Sequence, residues 1–304
     1  EMCIRDSYIL VKQGGKINAV GTPDKPIVMT SEKEEPGAWG GIHICGRAHT
    51  NAEGGKGSSE IGGAVYGGND DADNSGTLQY IRLEYTGFAF DEEHEANGIS
   101  FYGVGNGTIV DHCQAYKGSD DGFEFFGGSV NVSNLVAVSC SDDSFDWTEG
   151  WNGKGTNLVA YQEAESTLGY DCDCLMECDN NGSNNAATPV AHPVLKNLIL
   201  VGNGGSKQGI RLRAGTEVEI DNAKVCGKGQ PLTVETALTE NALKNGTSKL
   251  TNITLTSELS SKEGIYTHAD FIAVTSNKVD ANLSYSSFED IRKECSWMNG
   301  SWVK

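Results

Sequence analysis

Two acidic turns, 22 residues apart, carry the side chains best suited to chemistry in this sequence. The first holds Asp120 and Asp121, and the second holds Asp142 and Asp143. Paired carboxylates serve as acid and base in glycoside hydrolysis, and they also supply the oxygen ligands that Ca²⁺ prefers. An aspartate in a turn can instead bond its own backbone two residues on. All four residues are therefore catalytic candidates, with turn structure and Ca²⁺ binding as the alternatives.

More charged residues occupy one position of successive short strands. The column predicted from this spacing is His43, Ser100, Glu124, Asp146, Asp171 and Arg211, with His43 expected at the surface. Like charges about 5 Å apart repel, so its carboxylates are expected to hold protons or to share a cation. The predicted Ca²⁺ ligands are Asp120, Asp142, Glu124 and Asp146. Arg211 and Arg213 are expected either to pair with the column or to bind an anionic sugar.

Aromatic residues accompany the acidic column. Strand alternation predicts that Tyr102 and Phe126 point away from the core, and Trp151 lies just beyond its strand. Exposed rings beside carboxylates bind sugars by stacking and hydrogen bonding, so the three are predicted ligand-binding residues. The other predicted ligand-binding residues are Glu124, Asp146, Asp171, Arg211 and Arg213. The alternative is that the rings pack under loops.

A sequence repeat must position all these residues. Residues 108–127 and 130–149 align at an offset of 22. A polar or aromatic marker before a short, mostly apolar run recurs at Tyr80, His112, Asn134, Asn157, Asn197, Asn222 and Asn252. The tight unit is 22 to 25 residues, and the longer offsets are assigned to insertions. Such a period is typical of a solenoid, whose units bury their apolar faces only by stacking.

Strand patterns fill each unit, because apolar and polar residues alternate with a period of two. The sequence therefore predicts an all-β, right-handed parallel β-helix. A propeller blade needs about 40 residues, and a sandwich would not repeat side chains column by column. The predicted core column is Ile42, Ile99, Phe123, Phe145, Tyr170 and Ile210. The asparagines are expected to bond one another at a bend, and a short helix is expected near residues 234–244.

The predicted organisation is one β-helix domain over residues 8–304. Residues 1–7 are interpreted as a foreign scar, and Tyr8 opens in mid-strand, so the first coil is expected to be truncated. Insertions are predicted at about 51–74 and 173–193. The tail, about 260–304, is expected to cap the open end of the solenoid.

Charge and cysteine content narrow the function. Lys and Arg number 23 against 42 Asp and Glu, a net charge of −19. That excess argues against nucleic acids and anionic membrane surfaces, and no apolar stretch is long enough to span a membrane. Without Cys3, eight cysteines are left, which is consistent with an oxidising compartment. Cys172, Cys174 and Cys178 are expected to form a disulfide rather than a soft-metal site.

Several segments resemble a known family. They are Gly15-Lys16-Ile17-Asn18-Ala19-Val20-Gly21-Thr22, Pro36-Gly37-Ala38-Trp39-Gly40-Gly41-Ile42, Tyr66-Gly67-Gly68-Asn69-Asp70-Asp71 and the block Asp120-Asp121-Gly122-Phe123-Glu124-Phe125-Phe126-Gly127-Gly128. Residues 8–260 resemble the β-helix surface proteins and lipoproteins of Bacteroidota, within the pectin-lyase-like superfamily. The resemblance implies export to the cell surface, outer membrane or periplasm of a Gram-negative bacterium.

A narrower resemblance concerns activity. The Asp120-Asp121 turn and the basic strand Gly209-Ile210-Arg211-Leu212-Arg213 look like parts of the polygalacturonase-like site, but the Asn-Thr-Asp and His-Gly elements are missing. The expected function is therefore non-catalytic binding of a glycan or another extracellular ligand, with Ca²⁺ as the possible cofactor. The alternatives are a polysaccharide hydrolase or lyase, and a structural adhesin or assembly module.

Overall fold

The computed structural model describes residues 7–90 and 94–304. The strands are β1 (Ile9–Val11), β2 (Ile17–Val20), β3 (Ile27–Met29), β4 (Ile42–Cys45), β5 (Gly57–Ser58), β6 (Val65–Tyr66), β7 (Gly76–Glu84), β8 (Ile99–Tyr102), β9 (Ile109–Tyr116), β10 (Phe123–Phe126), β11 (Asn131–Val138), β12 (Phe145–Thr148), β13 (Lys154–Tyr161), β14 (Met176–Asp179), β15 (Val194–Val201), β16 (Gln208–Arg213), β17 (Glu219–Cys226), β18 (Gln230–Val234), β19 (Lys249–Leu255), β20 (Ser260–Ser261) and β21 (Lys278–Val279). The helices are α1 (Glu165–Leu168), α2 (Ala237–Asn245), α3 (His268–Ala273) and α4 (Phe288–Glu294), with 3₁₀ turns at Glu53–Gly55 and Ser296–Met298.

The short helix expected near residues 234–244 is confirmed as α2. It ends at Gly246, whose φ of 84° is the left-handed conformation that glycine adopts most readily. Across the described residues, no helix combines the length and the apolar character that crossing a membrane requires.

Two parallel sheets run along the described chain. Sheet A has the order β1-β4-β8-β10-β12-β14-β16-β18-β20, and sheet B has the order β2-β7-β9-β11-β13-β15-β17-β19-β21. Each full coil adds one strand to each sheet, and the strands inside each order pair with their equivalents in the coils before and after. Apart from these orders, β3 pairs with β7, and β5 and β6 form a separate antiparallel pair. The predicted all-β parallel β-helix is confirmed.

The strand register reproduces the offsets of the sequence repeat. Leu135 in β11 pairs with Cys113 at an offset of 22 and with Leu158 at an offset of 23. Leu158 in turn pairs with Leu198 at an offset of 40, across an insertion. The repeat in the sequence is therefore the coil of the structure.

Buried aromatic and aliphatic side chains fill the space between the sheets. Phe101 stacks on Phe125 with ring centroids 5.0 Å apart, and Trp151 stacks on Phe125 at 4.1 Å. Burying a large apolar side chain contributes roughly 1.5–3 kcal/mol, so this stack is a main source of stability. The prediction of Trp151 as a ligand-binding residue is wrong, because its side chain is only 1% exposed.

The predicted asparagine column is confirmed as a ladder on sheet B. All seven marker residues, from Tyr80 to Asn252, have φ between 51° and 64°, a conformation that asparagine tolerates better than most residues. Nδ2 of Asn157 donates to Oδ1 of Asn134 at 2.8 Å, and Asn197 and Asn222 continue the series at 3.0 and 2.9 Å. Asn252 departs from it and donates to Asp221 instead.

The predicted position of the second insertion, residues 173–193, is wrong. Tyr170 and Asp171 were expected on a core strand, but they follow α1 and Gly169, whose φ is 82°. The strand of that coil is β14, which lies inside the segment 173–193 that was predicted to be an insertion. The sequence of residues 169–172 has the strand pattern of the repeat. In the structure, however, its glycine ends helix α1 in the left-handed conformation, a role that glycine commonly has.

The cysteines also differ from expectation. Eight of them are buried free thiols, among them Cys172, Cys174 and Cys178, so the expected disulfide is absent from the described residues. Cys3 lies outside the described residues, as does most of the scar predicted at residues 1–7.

The C-terminal tail packs in two places: against the main core and along the outer face of sheet B. Phe271 of α3 packs into the main core, as a cap would. Residues 288–304, here called the C-terminal strap, instead run back along the outer face of sheet B. There Trp302 belongs to the same buried cluster as Val136, Val159 and Ile199. The backbone N–H of Lys304 donates to Oε1 of Gln114 at 2.8 Å, and that of Ser301 donates to the carbonyl of Pro23 at 2.8 Å.

Candidate functional site

The outer side of sheet A carries a cavity of about 390 Å³, here called the acidic groove. Its lining residues are Glu60, Glu95, Asn97, Asp120, Asp121, Glu124, Asp142, Asp143, Asp146, Asp173, Glu177 and Arg211. Ten of them are carboxylic acids and one is a guanidinium. The groove brings together all four predicted catalytic candidates and three of the charged residues predicted for the column.

Register in sheet A fixes the charged column. Glu124 pairs with Ser100 on one side and with Asp146 on the other, and Asp146 pairs with Glu177. Glu177 then pairs with Arg211. Glu177 therefore stands where Asp171 was expected, and it was missed because the wrong segment was taken for the strand.

Asp171 lies outside the groove. Its carboxylate accepts hydrogen bonds from Nδ2 of Asn203 and from the backbone N–H of Cys172, both at 2.9 Å. These bonds hold the pKa of Asp171 below its usual value against the opposing effect of partial burial. The prediction that Asp171 belongs to the acidic column is wrong.

His43 is also not where it was expected. It is fully buried, and Nε2 lies 2.6 Å from the carbonyl oxygen of Gly40. Burial lowers its pKa to about 4, so the ring is neutral at physiological pH. The surface position predicted for His43 is wrong, since the ring is covered on all sides.

The predicted aromatic platform is absent from the groove. Tyr102 is fully buried and Phe126 is 8% exposed. Their rings stack on each other at 4.4 Å, and Tyr66 of the first insertion packs with them, its ring centroid 5.1 Å from that of Tyr102. The hydroxyl of Tyr102 reaches Oε2 of Glu60 at 3.1 Å. The solvent-facing orientation predicted for both rings is wrong, because the insertion covers them.

Each inner aspartate of the two turns has a structural bond. Oδ1 of Asp121 accepts the backbone N–H of Asp143 at 2.8 Å, and Oδ1 of Asp143 accepts that of Cys174 at 2.6 Å. These bonds join one coil to the next, which is a structural role different from the bond to its own backbone two residues on that was considered for each aspartate. Each carboxylate keeps a second oxygen that is available to a proton or a cation.

Burial and mutual repulsion raise the pKa values of these acids. Burial first, then neighbouring carboxylates, raise the pKa of Asp120 to about 8 and that of Asp142 to about 6. The same causes raise the pKa values of Glu124 and Asp146 well above the ordinary range. Without a cation, Asp120, Glu124 and Asp146 therefore hold protons at neutral pH, whereas Asp142 is largely ionised there.

Glu60 is a groove residue that the sequence did not single out. It comes from the first insertion, and burial raises its pKa to about 7. Nothing in its neighbourhood in the sequence repeats, so no periodic signal could have placed it beside sheet A. Asn97, also missed, donates to the carboxylate of Glu124.

The arginines at the end of the column are paired with acids. Nη1 of Arg211 lies 2.9 Å from Glu177, and its Nε lies 3.2 Å from Glu235. Arg213 pairs with Asp179 at 2.7 Å and also contacts Glu177. Arg211 lines the groove. Arg213 is not a lining residue, but its ion pairs hold Glu177 and Asp179 in place.

Four groups of three residues bring potential metal ligands within 4.8 Å of one another. They are Asp120-Asp121-Asp142, Asp121-Glu124-Asp146, Asp143-Asp146-Glu177 and Asp143-Asp173-Cys174. Each shares one residue with the next, and the first three contain only carboxylates. Oδ1 of Asp146, which belongs to two of them, is buried and has no hydrogen-bond partner among the described residues. Oxygen ligands in this number suit a hard cation such as Ca²⁺.

The fold defines a class, the parallel β-helix, and the groove is a carboxylate-lined cavity on one of its sheets. Comparison with family models identifies that class, because the model described as a pectate-lyase-like β-helix domain matches residues 3–303. The chain belongs to this family. Neither the comparison with curated proteins nor that with solved structures gave a match.

Proposed function

We propose that the acidic groove binds Ca²⁺ and, through the bound cation, a glycan or another oxygen-rich extracellular ligand, without catalysing a reaction on it. The observation that carries this proposal is the unpartnered Oδ1 of Asp146, buried between two groups of carboxylates. A buried acceptor without a partner is costly, and a cation in the groove would remove that cost.

Charge balance supports a cation. Ten carboxylic acids share the groove with Arg211, and that guanidinium is already paired with Glu177 and Glu235. Burying several ionised carboxylates together is unfavourable unless protons or cations compensate them. A divalent ion offsets two charges at once and would let its ligands ionise at neutral pH.

The lining also indicates how a ligand would be held. No aromatic ring is among the described lining residues, so stacking is not the means of recognition. A Ca²⁺ ion with six to eight ligand positions can accept hydroxyl or carboxylate oxygens beside those of the protein. A volume of about 390 Å³ lies within the range of small-ligand sites.

Calorimetric titration with Ca²⁺ tests the first step. The wild-type protein is expected to bind Ca²⁺, and Asp146→Asn is expected to weaken binding by at least about tenfold, because it removes a charge shared by two ligand groups. Asp171→Asn is the matched control, since Asp171 lies outside the groove. Wild-type protein that binds no Ca²⁺, or equal affinities for wild type and Asp146→Asn, would contradict the proposal.

A glycan array tests the second step. The protein is applied once with Ca²⁺ and once with EDTA, and Asp146→Asn is applied in parallel. Binding that requires both Ca²⁺ and Asp146 supports ligand recognition through the cation. Ca²⁺ binding without any glycan binding would limit the groove to a structural or adhesive role.

A polysaccharide hydrolase or lyase is the second candidate, favoured by the pKa values of Asp120 and Asp142. Asp120, with a pKa raised by burial to about 8, would hold a proton at neutral pH as a general acid requires. Asp142, with a pKa of about 6, would be largely ionised there and could act as the base. Assays for reducing ends and unsaturated products on uronate polymers decide between the candidates. Product formed by wild type and lost in Asp120→Asn would establish catalysis.

We also propose export to the surface or periplasm of a Gram-negative bacterium, as in the lipoproteins that the sequence resembles. The support is the sequence resemblance and the acidic composition, with a net charge of −19. Fractionation of the source cells with an antibody against the protein tests this. Recovery in the cytosolic fraction alone would refute it.

A further inference from the structure

A second cavity lies on the opposite sheet, between the asparagine ladder and the C-terminal strap. Its volume is about 320 Å³, and it is here called the strap cavity. Sheet B supplies one side of it and the strap supplies the other. The cavity shares no lining residue with the acidic groove.

The ladder gives this cavity a row of primary amides. Asn157, Asn197 and Asn222 all line it, and successive amides are joined by hydrogen bonds of 3.0 and 2.9 Å. An asparagine amide has two N–H donors and two acceptor lone pairs. Since the ladder uses one N–H of each amide, a second N–H of each has no partner among the hydrogen bonds of the described chain and is available to a ligand.

The other walls differ in character. Val159 and Ile199 also line it, but they are only 1% and 7% exposed, so little of their apolar surface can meet a ligand. Trp297 supplies a partly exposed indole, which is held in place by Trp302 at 6.2 Å between ring centroids. An ion pair between Lys224 and Glu294 connects sheet B to the strap in the cavity lining.

This combination matches one ligand class. A neutral pyranose ring has C–H faces that pack on an indole or on aliphatic side chains, and hydroxyls around its edge that bond amides and charged groups. Lys224 and Glu294 neutralise each other, so the lining offers an anionic ligand no net positive charge. A wholly apolar ligand would leave the amides and the ion pair without polar partners. We propose that the strap cavity is a binding site for a neutral sugar in pyranose form, independent of the acidic groove.

The test uses methyl glycosides of glucose, galactose and mannose, titrated into ¹⁵N-labelled full-length protein in the presence of EDTA. The indole N–H signal of Trp297, assigned with Trp297→Phe, is expected to shift saturably with at least one of the three. Asn197→Gly keeps the left-handed backbone at φ 60° and removes one amide, so it is expected to weaken binding by about tenfold. Trp297→Ala is expected to have an effect at least as large, since it removes the indole.

Two controls separate this site from the acidic groove and from folding. Asp146→Asn and the chelator are expected to leave the titration unchanged, so the outcome does not depend on Ca²⁺ binding. Trp297→Phe keeps an aromatic ring and is expected to bind within a few-fold of wild type, measured by saturation transfer to the glycoside. The proposal is overturned if none of the three glycosides shifts the Trp297 signal, or if Asn197→Gly binds as tightly as wild type.

Discussion

The ring of Phe123 lies almost parallel to that of Phe145 in the next coil, with centroids 5.6 Å apart and planes 13° from one another. Their Cα atoms are partners in the register of sheet A. The adjoining pair, Glu124 and Asp146, is brought into line by the same register. The position of the acidic groove therefore depends on how well the aromatic core aligns successive coils.

Truncating this stack should be costly. Phe123→Ala is expected to lower the free energy of unfolding by about 3–5 kcal/mol, because Phe123 is fully buried and the coils leave little room to collapse. Urea denaturation measures the change. Val20→Ala, at a side chain that is 57% exposed, is the control and should change stability by less than about 0.5 kcal/mol. Equal midpoints for the two variants would contradict the stacked core.

Stability should depend on pH in a direction set by the acids of the groove. The folded pKa values of Asp120 and Asp142, about 8 and about 6, lie above those of the unfolded chain. The native state therefore binds more protons than the unfolded chain between these pKa values. In EDTA, the two groups stabilise the native state fully below about pH 4, and this contribution is lost as the pH rises to about 8.

Melting temperatures measured across this range check the prediction. Asp120→Asn should lose less stability than wild type as the pH rises, because the amide does not ionise, and saturating Ca²⁺ should flatten the wild-type curve. A wild-type curve that rises in parallel with that of the variant would show that Asp120 is not the buried acid described here.

The ladder makes a prediction about backbone conformation. Asn157 has a φ of 60° and exchanges amide bonds with Asn134 and Asn197. Asn157→Ala and Asn157→Gly both remove these bonds, but only alanine pays for the left-handed conformation, by about 1 kcal/mol. Alanine should therefore be the more destabilising of the two in urea denaturation. The reverse order would show that the left-handed residue is not needed at this bend.

The buried thiols provide a chemical test. Burial raises the pKa of Cys113 and of Cys140 to about 12, so little reactive thiolate forms at neutral pH. In a Cys3→Ser variant, Ellman's reagent is expected to react slowly with native protein and to titrate eight thiols in denaturant. Fewer than eight without added reductant would reveal a disulfide that is absent from the structure.

The sequence predicts the coil well because the signal repeats. Each marker, from Tyr80 to Asn252, occupies the same left-handed position in its coil, and few residues other than glycine tolerate that conformation easily. The two Asp-Asp turns could be aligned for the same reason. Repetition turns a weak local preference into a strong one, since every copy must satisfy the same stacked geometry.

The errors arise where the chain leaves the repeat. Tyr170 and Asp171 lie outside a strand, although the sequence around them has the pattern of the repeat's strands. The actual strand, which contains Glu177, does not begin with the glycine that marks the other copies. The burial of Tyr102 and Phe126 depends on the first insertion folding over sheet A, which their own alternation does not indicate. Alternation predicts which way a side chain leaves its strand, but it does not predict what another segment places over it.

The C-terminal strap changes the way this solenoid should come apart. A bare stack of coils has contacts only between neighbours and can fray from either end. Here Ser301 is bonded to Pro23 and Lys304 to Gln114, so the last residues are fastened to some of the first coils. Contacts between such distant parts of the chain form slowly, and they join both ends into one cooperative unit. A mechanical force applied to the C-terminus would therefore act on the early coils, to which the strap is bonded, before it acts on the late coils.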